Sequence, residues 1–501
     1  MKDLKFILSY REVTIDLDHS PSGWDDTLIK YERSTKYWGL IRSFTIPLKF
    51  VLEGAELLRE AFYNDGIEAE VKLEILKLNR LSLEYYSAYV ADLDFSSFND
   101  SDCFVEITVI DGGASKYIKA NEGTTYDVPV GSNDWLQIAM PEGFQRRGRH
   151  IKELFVSLLD LLTAGRLKDG TFGFRSSFLD SLQTDGILIA PSSSLGTKQG
   201  IIDIDPLVSV SFSSLFEALS NIYCLGFNVA VENDKEVFEI EKRERFFTSD
   251  LILNVGSVSD VKLQVENNLL FSRVLAGYEN QDYDTQPAEW EANCQSVFAT
   301  DLIRSSKELN LMSDIRADYS GILDMIYTDS EGSNEELFLI ECDIDQPRIY
   351  IPRLGWIRHN GIQHSHYNTS LTPVRILLNN LDFIHSCLFA PGKGIFFSSG
   401  GNQNRLNQTA AVWNQWKVEA YSDHLSAPVW FLPVIVSFEL GTLQDLNVLF
   451  SKSSTGKIGF SYRGTTLWGY LMDVQVKLAD RGKQTFKLLL SADNDLNNLI
   501  L

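Results

Sequence analysis

Along most of the chain apolar and polar residues alternate with a period of two, and only a few stretches switch to the helical spacing of three to four. The clearest alternation sets Ala69, Val71, Leu73, Ile75 and Leu76 against Glu70, Lys72 and Glu74. Successive strand side chains point to opposite faces, so this spacing predicts a strand with one face in a core and one in water. Leu4–Leu8, Glu12–Leu17, Arg42–Leu48, Tyr85–Leu93 and Phe104–Val109 read the same way, with turns at Asp18–Gly23 and Asp111–Gly113. Asp92-Leu93-Asp94-Phe95 reads as the end of a long hairpin strand. One segment has the other period. In Glu53–Asn64, Leu57, Leu58, Ala61 and Phe62 share a helical face, and Gly66 follows as a stop.

Past residue 130 the two patterns mix. Ile151–Ala164 is an amphipathic helix ended by Gly165, preceded by the most basic run of the chain, Gln145–His150. Asp180–Thr197 has little pattern and much Ser and Gly, which predicts a loop or mobile hairpin. Ser214 and Glu217 have capping-box spacing and open a helix through Leu225, with Leu215, Phe216, Leu219, Ile222 and Tyr223 as its buried stripe and Gly226 closing it. Phe227–Val231 and Val237–Ile240 form a hairpin around Asn233-Asp234. Val261–Val265, Phe271–Gly277 and Leu337–Glu341 are strands set between polar stretches at 278–291, 314–319 and 330–336. Near the end, Trp430–Phe438 is an apolar strand that Pro433 places at an edge or a bulge. A helix at Leu443–Phe450 follows, then a meander of Ile458–Tyr462, Thr466–Val474 and Thr485–Leu490. No fixed-period repeat is visible. The expected class is α+β, predominantly β, with several small β-barrel or β-sandwich domains and short amphipathic helices. The expected division is 1–130 (β-rich with one helix), 131–250 (α+β), 251–360 (β with long acidic loops) and 361–501 (β-rich).

Composition changes this picture little and charge changes it more. The 68 acidic and 45 basic residues leave a formal charge of −23, which repels phosphate and an anionic membrane, so neither specific nucleic-acid binding nor membrane binding is expected. The five cysteines, Cys103, Cys224, Cys294, Cys342 and Cys387, are scattered without a CxxC pair and predict free buried thiols, not a disulfide framework or zinc site. The first residues carry no signal-peptide pattern, and no apolar stretch reaches the length of a membrane span.

Candidate chemistry is thin. Ser453-Ser454-Thr455-Gly456-Lys457 resembles a phosphate loop but has Ser451 where the first Gly belongs and Ile458 after the Lys. His364 and His366 cluster with His359; if that segment is a strand, His364 and His366 share one face and offer two imidazoles to a metal, but no Cys or carboxylate stands at tight spacing. Asp92 and Asp94 suggest a cation site, though acids at strand ends ordinarily just face water. Gln145–His150 offers an anion contact at a helix start, against the plainer reading of a solvated loop. Ser398 in Phe397–Gly401 lacks the spacing of a nucleophile elbow. Asn99, Asn368 and Asn407 open sequons that carry no weight without a secretory signal. No catalytic, cofactor-binding or metal-binding residue is assigned, and no enzyme activity is expected.

Three segments carry a family resemblance. They are Gly23-Trp24-Asp25-Asp26 with Tyr37-Trp38-Gly39-Leu40, Leu48–Val51, a helix and Gly66-Ile67-Glu68-Ala69; Leu309–Tyr319 with the loop before it; and Gln484–Leu490 with Asn494–Ile500. Together they resemble structural proteins of tailed phages and prophages of Bacteroidetes, including crAss-like phages. The unit of helix, Leu225-Gly226 and hairpin, followed by β domains, is similar to tail-hub proteins. The resemblance implies a virion structural protein of the tail or baseplate hub. It implies a symmetric homo-oligomeric ring that joins tail tube to tip, contacts other tail and baseplate proteins, lets DNA or ejected proteins pass, and is assembled in the host cytoplasm. The alternatives are a receptor- or glycan-binding tail protein, or a tail-associated carbohydrate hydrolase.

Overall fold

The computed structural model describes residues 4–26, 28–43, 45–78, 83–129, 136–139, 145–184, 186–195, 207–232, 235–279, 295–299, 305–317, 332–343, 348–351, 355–358, 362–364, 369–387, 398–399, 430–440, 455–477 and 484–494. The fold is α+β and predominantly β. Its first unit is an antiparallel sheet of β1 (Leu4–Tyr10), β2 (Val13–Asp16), β5 (Thr45–Phe50), β6 (Val71–Leu78), β7 (Tyr85–Asp100) and β8 (Val105–Asp111) in the order β2-β1-β6-β7-β8-β5. Period-two alternation fixes the inner face: Phe6, Leu8, Leu73, Ile75, Ile107 and Val109 are buried. Helix α1 (Leu52–Asp65) lays Ala55, Leu57, Leu58 and Ala61 on this core and stops at Gly66, whose φ of 66° suits a residue without Cβ. The sheet curls. Past β2 the chain crosses to the opposite edge, where Ser22 bridges Lys49 of β5. Asp92–Phe95 lies inside β7, not at a strand end, because the strand runs on to Asp100. Strands β3 (Leu28–Arg33) and β4 (Leu40–Ser43) leave this sheet and pair with each other.

The middle of the chain alternates helices with short strands. In order these are α2 (Ala114–Asn121), β9 (Thr125–Pro129), β10 (Leu136–Ala139), β11 (Gln145–His150), α3 (Ile151–Leu162), β12 (Gly173–Arg175), α4 (Ser177–Thr184), β13 (Ile187–Pro191), α5 (Ser192–Leu195), β14 (Leu207–Ser211), α6 (Phe212–Tyr223), β15 (Leu225–Glu232) and β16 (Lys235–Lys242). Three sequence expectations are corrected here. The basic run Gln145–His150 is a strand, because Arg149 turns inward and donates to Ser157 Oγ at 2.8 Å. The described part of 180–197 is not a loop or hairpin but the end of α4, then β13 and α5: all five residues of β13 are buried, so its apolar run outweighs the flanking Ser and Gly. Helix α6 starts three residues before the capping-box reading, since Ser211 is the cap and accepts from the Ser214 amide. It ends at Cys224 in the left-handed conformation, not at Gly226, which belongs to β15.

Next come β17 (Leu251–Ser257) and β18 (Ser259–Val265). After them lie β19 (Arg273–Tyr278), β20 (Ser296–Ala299), β21 (Glu308–Ser313), β22 (Leu337–Asp343), β23 (Arg348–Ile351), β24 (Gly355–Arg358) and β25 (Ile362–His364). Helices α7 (Pro373–Asn379) and α8 (Leu381–Ser386) and strand β26 (Ser398–Ser399) complete this stretch. Strands β10, β11, β13, β22 and β25 close a small barrel. The last unit is made of β27 (Phe431–Leu440), β28 (Lys457–Tyr462), β29 (Thr465–Lys477) and β30 (Gln484–Ser491), in the order β17-β28-β29-β30-β27-β18, with β3 added on the far half of β29. Pro433 sits where β27 slips register against β30, so of the two readings the bulge is the one realised. The expected helix Leu443–Phe450 lies outside the described residues.

Strands β17 and β18 are separated by one residue yet sit at opposite ends of this sheet. They form one bent strand that runs off one edge and onto the other. Deleting β1 from the N-terminal sheet leaves the same arrangement. A crossing strand is followed by β5 or β27, a connecting segment, and a three-strand meander, with the same neighbours and the same strand directions. One continuous core runs through both sheets.

Candidate functional site

The C-terminal sheet, the β3–β4 segment and the middle region meet at an aromatic junction. Trp38, Phe246, Phe247, Phe383, Phe431 and Tyr470 are buried together with Cys224 and Cys387. Two arginines are buried among them. Arg33, at the end of β3, donates to the carbonyls of Trp38 (2.6 Å), Leu471 (2.8 Å) and Phe246 (3.2 Å), and its guanidinium lies over the Phe247 ring. One charge thus ties the crossing segment, the C-terminal sheet and the end of the middle region. Burial pulls its pKa down to about 10, so it stays charged at neutral pH. Arg243 donates to Leu225 O and Ser220 Oγ, both at 3.0 Å, and sits between Trp38 and Phe383. A buried cation is tolerated here because carbonyl dipoles and aromatic faces replace its water. The aromatic rings around Arg243 come from Trp38 and Phe383, far away in sequence, so its neighbours Glu241-Lys242 and Glu244 do not announce its burial.

The junction is built to hold and not to react. Burial pushes the Cys224 thiol up to about 11 and the Cys387 thiol well above its ordinary range, so both stay protonated and poor as nucleophiles. Cys103, expected to be buried, is exposed. The side chains of Cys294 and Cys342 lie outside the described residues.

The other candidates disperse. Asp92 pairs with Lys116, while Asp94 caps the turn at Ser96, so the two carboxylates do not converge. Lys457, from the phosphate-loop-like string, is the first residue of β28 and pairs with Asp493. Its ammonium is committed, and residues 451–454 lie outside the described set. So do His359, His366 and the side chain of His364, although the backbone of His364 ends β25. Ser398 starts the two-residue β26. Of the sequons only Asn99 is described, in β7; Asn368 and Asn407 are not. Among the described residues no group of three His, Cys, Asp or Glu side chains could hold a metal. A polar cleft lined by Thr125, Ser209, Ser211, Ser214, Asp314 and Glu335 opens beside the start of α6; Ser214 Oγ and Asp314 Oδ2 are 3.3 Å apart in it. It brings no histidine or thiol to those hydroxyls. No described helix is long and apolar enough to cross a membrane.

What remains is surface. Exposed large apolar residues include Leu52, Tyr63 and Ile67 on and just after α1, Leu161 and Val231 in the middle region, and Leu251, Leu263 and Val265 on the bent strand of the second sheet. Strand β18 is exposed at six of seven positions, on both of its faces.

No family model matches the chain, and no curated protein matches it. Among solved structures it is similar to the 43 kDa tail protein of prophage MuSo2 from Shewanella oneidensis, at 6% identity, 98% of this chain and 97% of that one, with a TM-score of 0.38. It is similar to a tail protein from Neisseria meningitidis MC58, at 6% identity over 97% of each chain, with a TM-score of 0.40. A third is the prophage tail protein gp18 from Listeria monocytogenes EGD-e, at 7% identity, 99% of this chain and 97% of that one, with a TM-score of 0.37.

Proposed function

We propose that this chain is a structural protein of a phage-type tail or baseplate. In this reading several copies close into a ring between tail tube and tip, assembled in the host cytoplasm and carried in the virion. The observation that carries it is the repeated strand order: one chain holds two curled sheets of the same topology, joined through one continuous core. A ring is a heterologous contact that closes on itself. A subunit with two alike units adds two similar wall segments per copy, and their shared core holds them against each other. The formal charge of −23 suits a lumen that DNA or an ejected protein must slide through without sticking. The resemblance of Gly23–Val51, Leu309–Tyr319 and Gln484–Ile500 to tailed-phage structural proteins supports the same reading. The work is mechanical, with no bond made or broken.

Light scattering and negative-stain images of the purified chain, alone and with its neighbouring virion proteins, test this. Discrete closed species are expected. A monomer under all of these conditions overturns it.

A further inference from the structure

Helix α1 has a polar face only in part. Leu52, Glu56, Glu60 and Tyr63 fall within a sector of about 80° on its outer side, and Ile67 follows just past its end. Leu52 is 59% exposed, Tyr63 74% and Ile67 65%, although the opposite face of the helix already supplies all of its core contacts. Between and beside these apolar side chains stand the exposed carboxylates of Glu56, Glu60 and Glu68, which have no ion-pair partner among the described residues. The last turn of α1 carries no basic residue, so Glu60 and Glu68 lie toward the negative end of the helix dipole without compensation. An apolar stripe lined with uncompensated acids is complementary to an apolar stripe lined with bases.

We propose that the outer face of α1 docks a cationic amphipathic helix of another tail protein. This deepens the tail reading and rests on it. A second copy of this chain is the weaker occupant, because it brings a further charge of −23. Cations in and beside this unit are also already spent internally: Lys5, Arg11 and Arg59 pair with Asp16, Asp65 and Asp100, and Lys116 and Arg166 of the middle region pair with Asp92 and Glu70.

The probe is a synthetic helical peptide of leucine and lysine with all lysines on one face, titrated into the full chain by fluorescence anisotropy. Binding is expected, with slowed amide exchange over residues 52–67. Glu56→Lys with Glu60→Lys, and separately Tyr63→Ser with Ile67→Ser, should each weaken it by about tenfold or more. Asp250→Lys with Glu335→Lys makes the same change of net charge elsewhere and should leave affinity within about twofold. All six positions are exposed, and an unchanged unfolding midpoint confirms that the variants fold. Equal weakening by the control pair, or unchanged exchange along α1, overturns the proposal. The variants should also keep the assembled mass of the parent, and loss of assembly in the α1 variants would point to a second copy and sink the proposal. A parent that fails to assemble while peptide still docks on α1 would sink the tail reading alone.

Discussion

The N-terminal and C-terminal sheets share a strand order but are assembled from the chain in opposite ways. The first draws on residues 4–111 almost without interruption, whereas the second takes its crossing strand from 251–265, β27 from 431–440, its meander from 457–491 and an added strand from 28–33. Loop closure costs grow only slowly with length, about 0.6 kcal/mol per doubling, so the scattered version is not much less stable. It is slower to find, because its pairings join distant residues. The first sheet is therefore the natural nucleus, and the second depends on the junction that brings its pieces together. The sheets also differ in how they are sealed: β1 is inserted beside the crossing strand of the first, while in the second β17 pairs directly with β28.

Breaking the junction should have the largest effect and fall mainly on the second sheet. Trp38 is 2% exposed, packs on Phe383 and Phe431 with centroids 5.0 and 6.1 Å away, and offers its carbonyl to Arg33. Trp38→Ala should cost about 3–5 kcal/mol. In urea unfolding, probes in the C-terminal sheet should lose their signal at lower denaturant than probes in the first sheet. A single transition shifted equally for both would mean that the two sheets are not separately dependent on the junction.

A smaller test acts inside one sheet only. A Cβ at Gly469 of β29 would lie 2.8 Å from the Leu488 Cβ and 3.0 Å from the Leu489 carbonyl of β30. Its counterpart β7 contains no glycine. Gly469→Ala should therefore destabilise by about 1–3 kcal/mol through overpacking, read as a lower urea midpoint for the C-terminal sheet with the first sheet unchanged.

How far the sequence could be read follows from the same contrast. Helix α1 was legible to within one residue at each end, because its apolar spacing is local and Gly66 marks its stop. Strands β6 and β28–β30 were legible because alternation is local too. The strand β13 was missed because Ile187-Leu188-Ile189-Ala190-Pro191 is buried on both faces and shows no alternation. The burial of Arg33 and Arg243 was invisible because their partners come from three distant segments. The repeated topology left no trace because strand order is set by which edges meet, and the period-two pattern that permits it is the same in any half-buried strand. The outer face of α1 does carry a sequence signal, an aromatic Tyr63 on the side away from Leu57 and Leu58.

Acid should separate the middle region from both sheets. Burial holds the imidazoles of His150, at the end of β11, and His385, on α8, below their ordinary 6.5. The unfolded chain then binds protons more readily than the folded one, so stability is full above the ordinary value and falls as pH drops below it. Between about pH 7 and pH 5 the urea midpoint of the middle region should fall more than those of the sheets. His385→Asn should flatten that dependence, and an unchanged slope would remove His385 from the account.

The smallest effect sharpens the comparison at the surface of the first sheet. Arg59 of α1 donates to Asp100 Oδ1 at 2.9 Å and to the Ser101 carbonyl at 2.8 Å, pinning the helix to the far end of β7. Both side chains are about three-tenths exposed, so water and salt screen much of the attraction. Holding a long side chain in one geometry also costs rotamer entropy. Arg59→Met keeps the aliphatic packing and removes the charge; it should cost no more than about 1 kcal/mol and shrink further in high salt. The aromatic stack of Phe62 on Phe98, with ring centroids 4.2 Å apart, sits one turn away and should hold α1 in place without the ion pair. If Arg59→Met instead freed the helix, seen as fast amide exchange along residues 52–65, the polar contact would be the fastening and the aromatic pair only its cover.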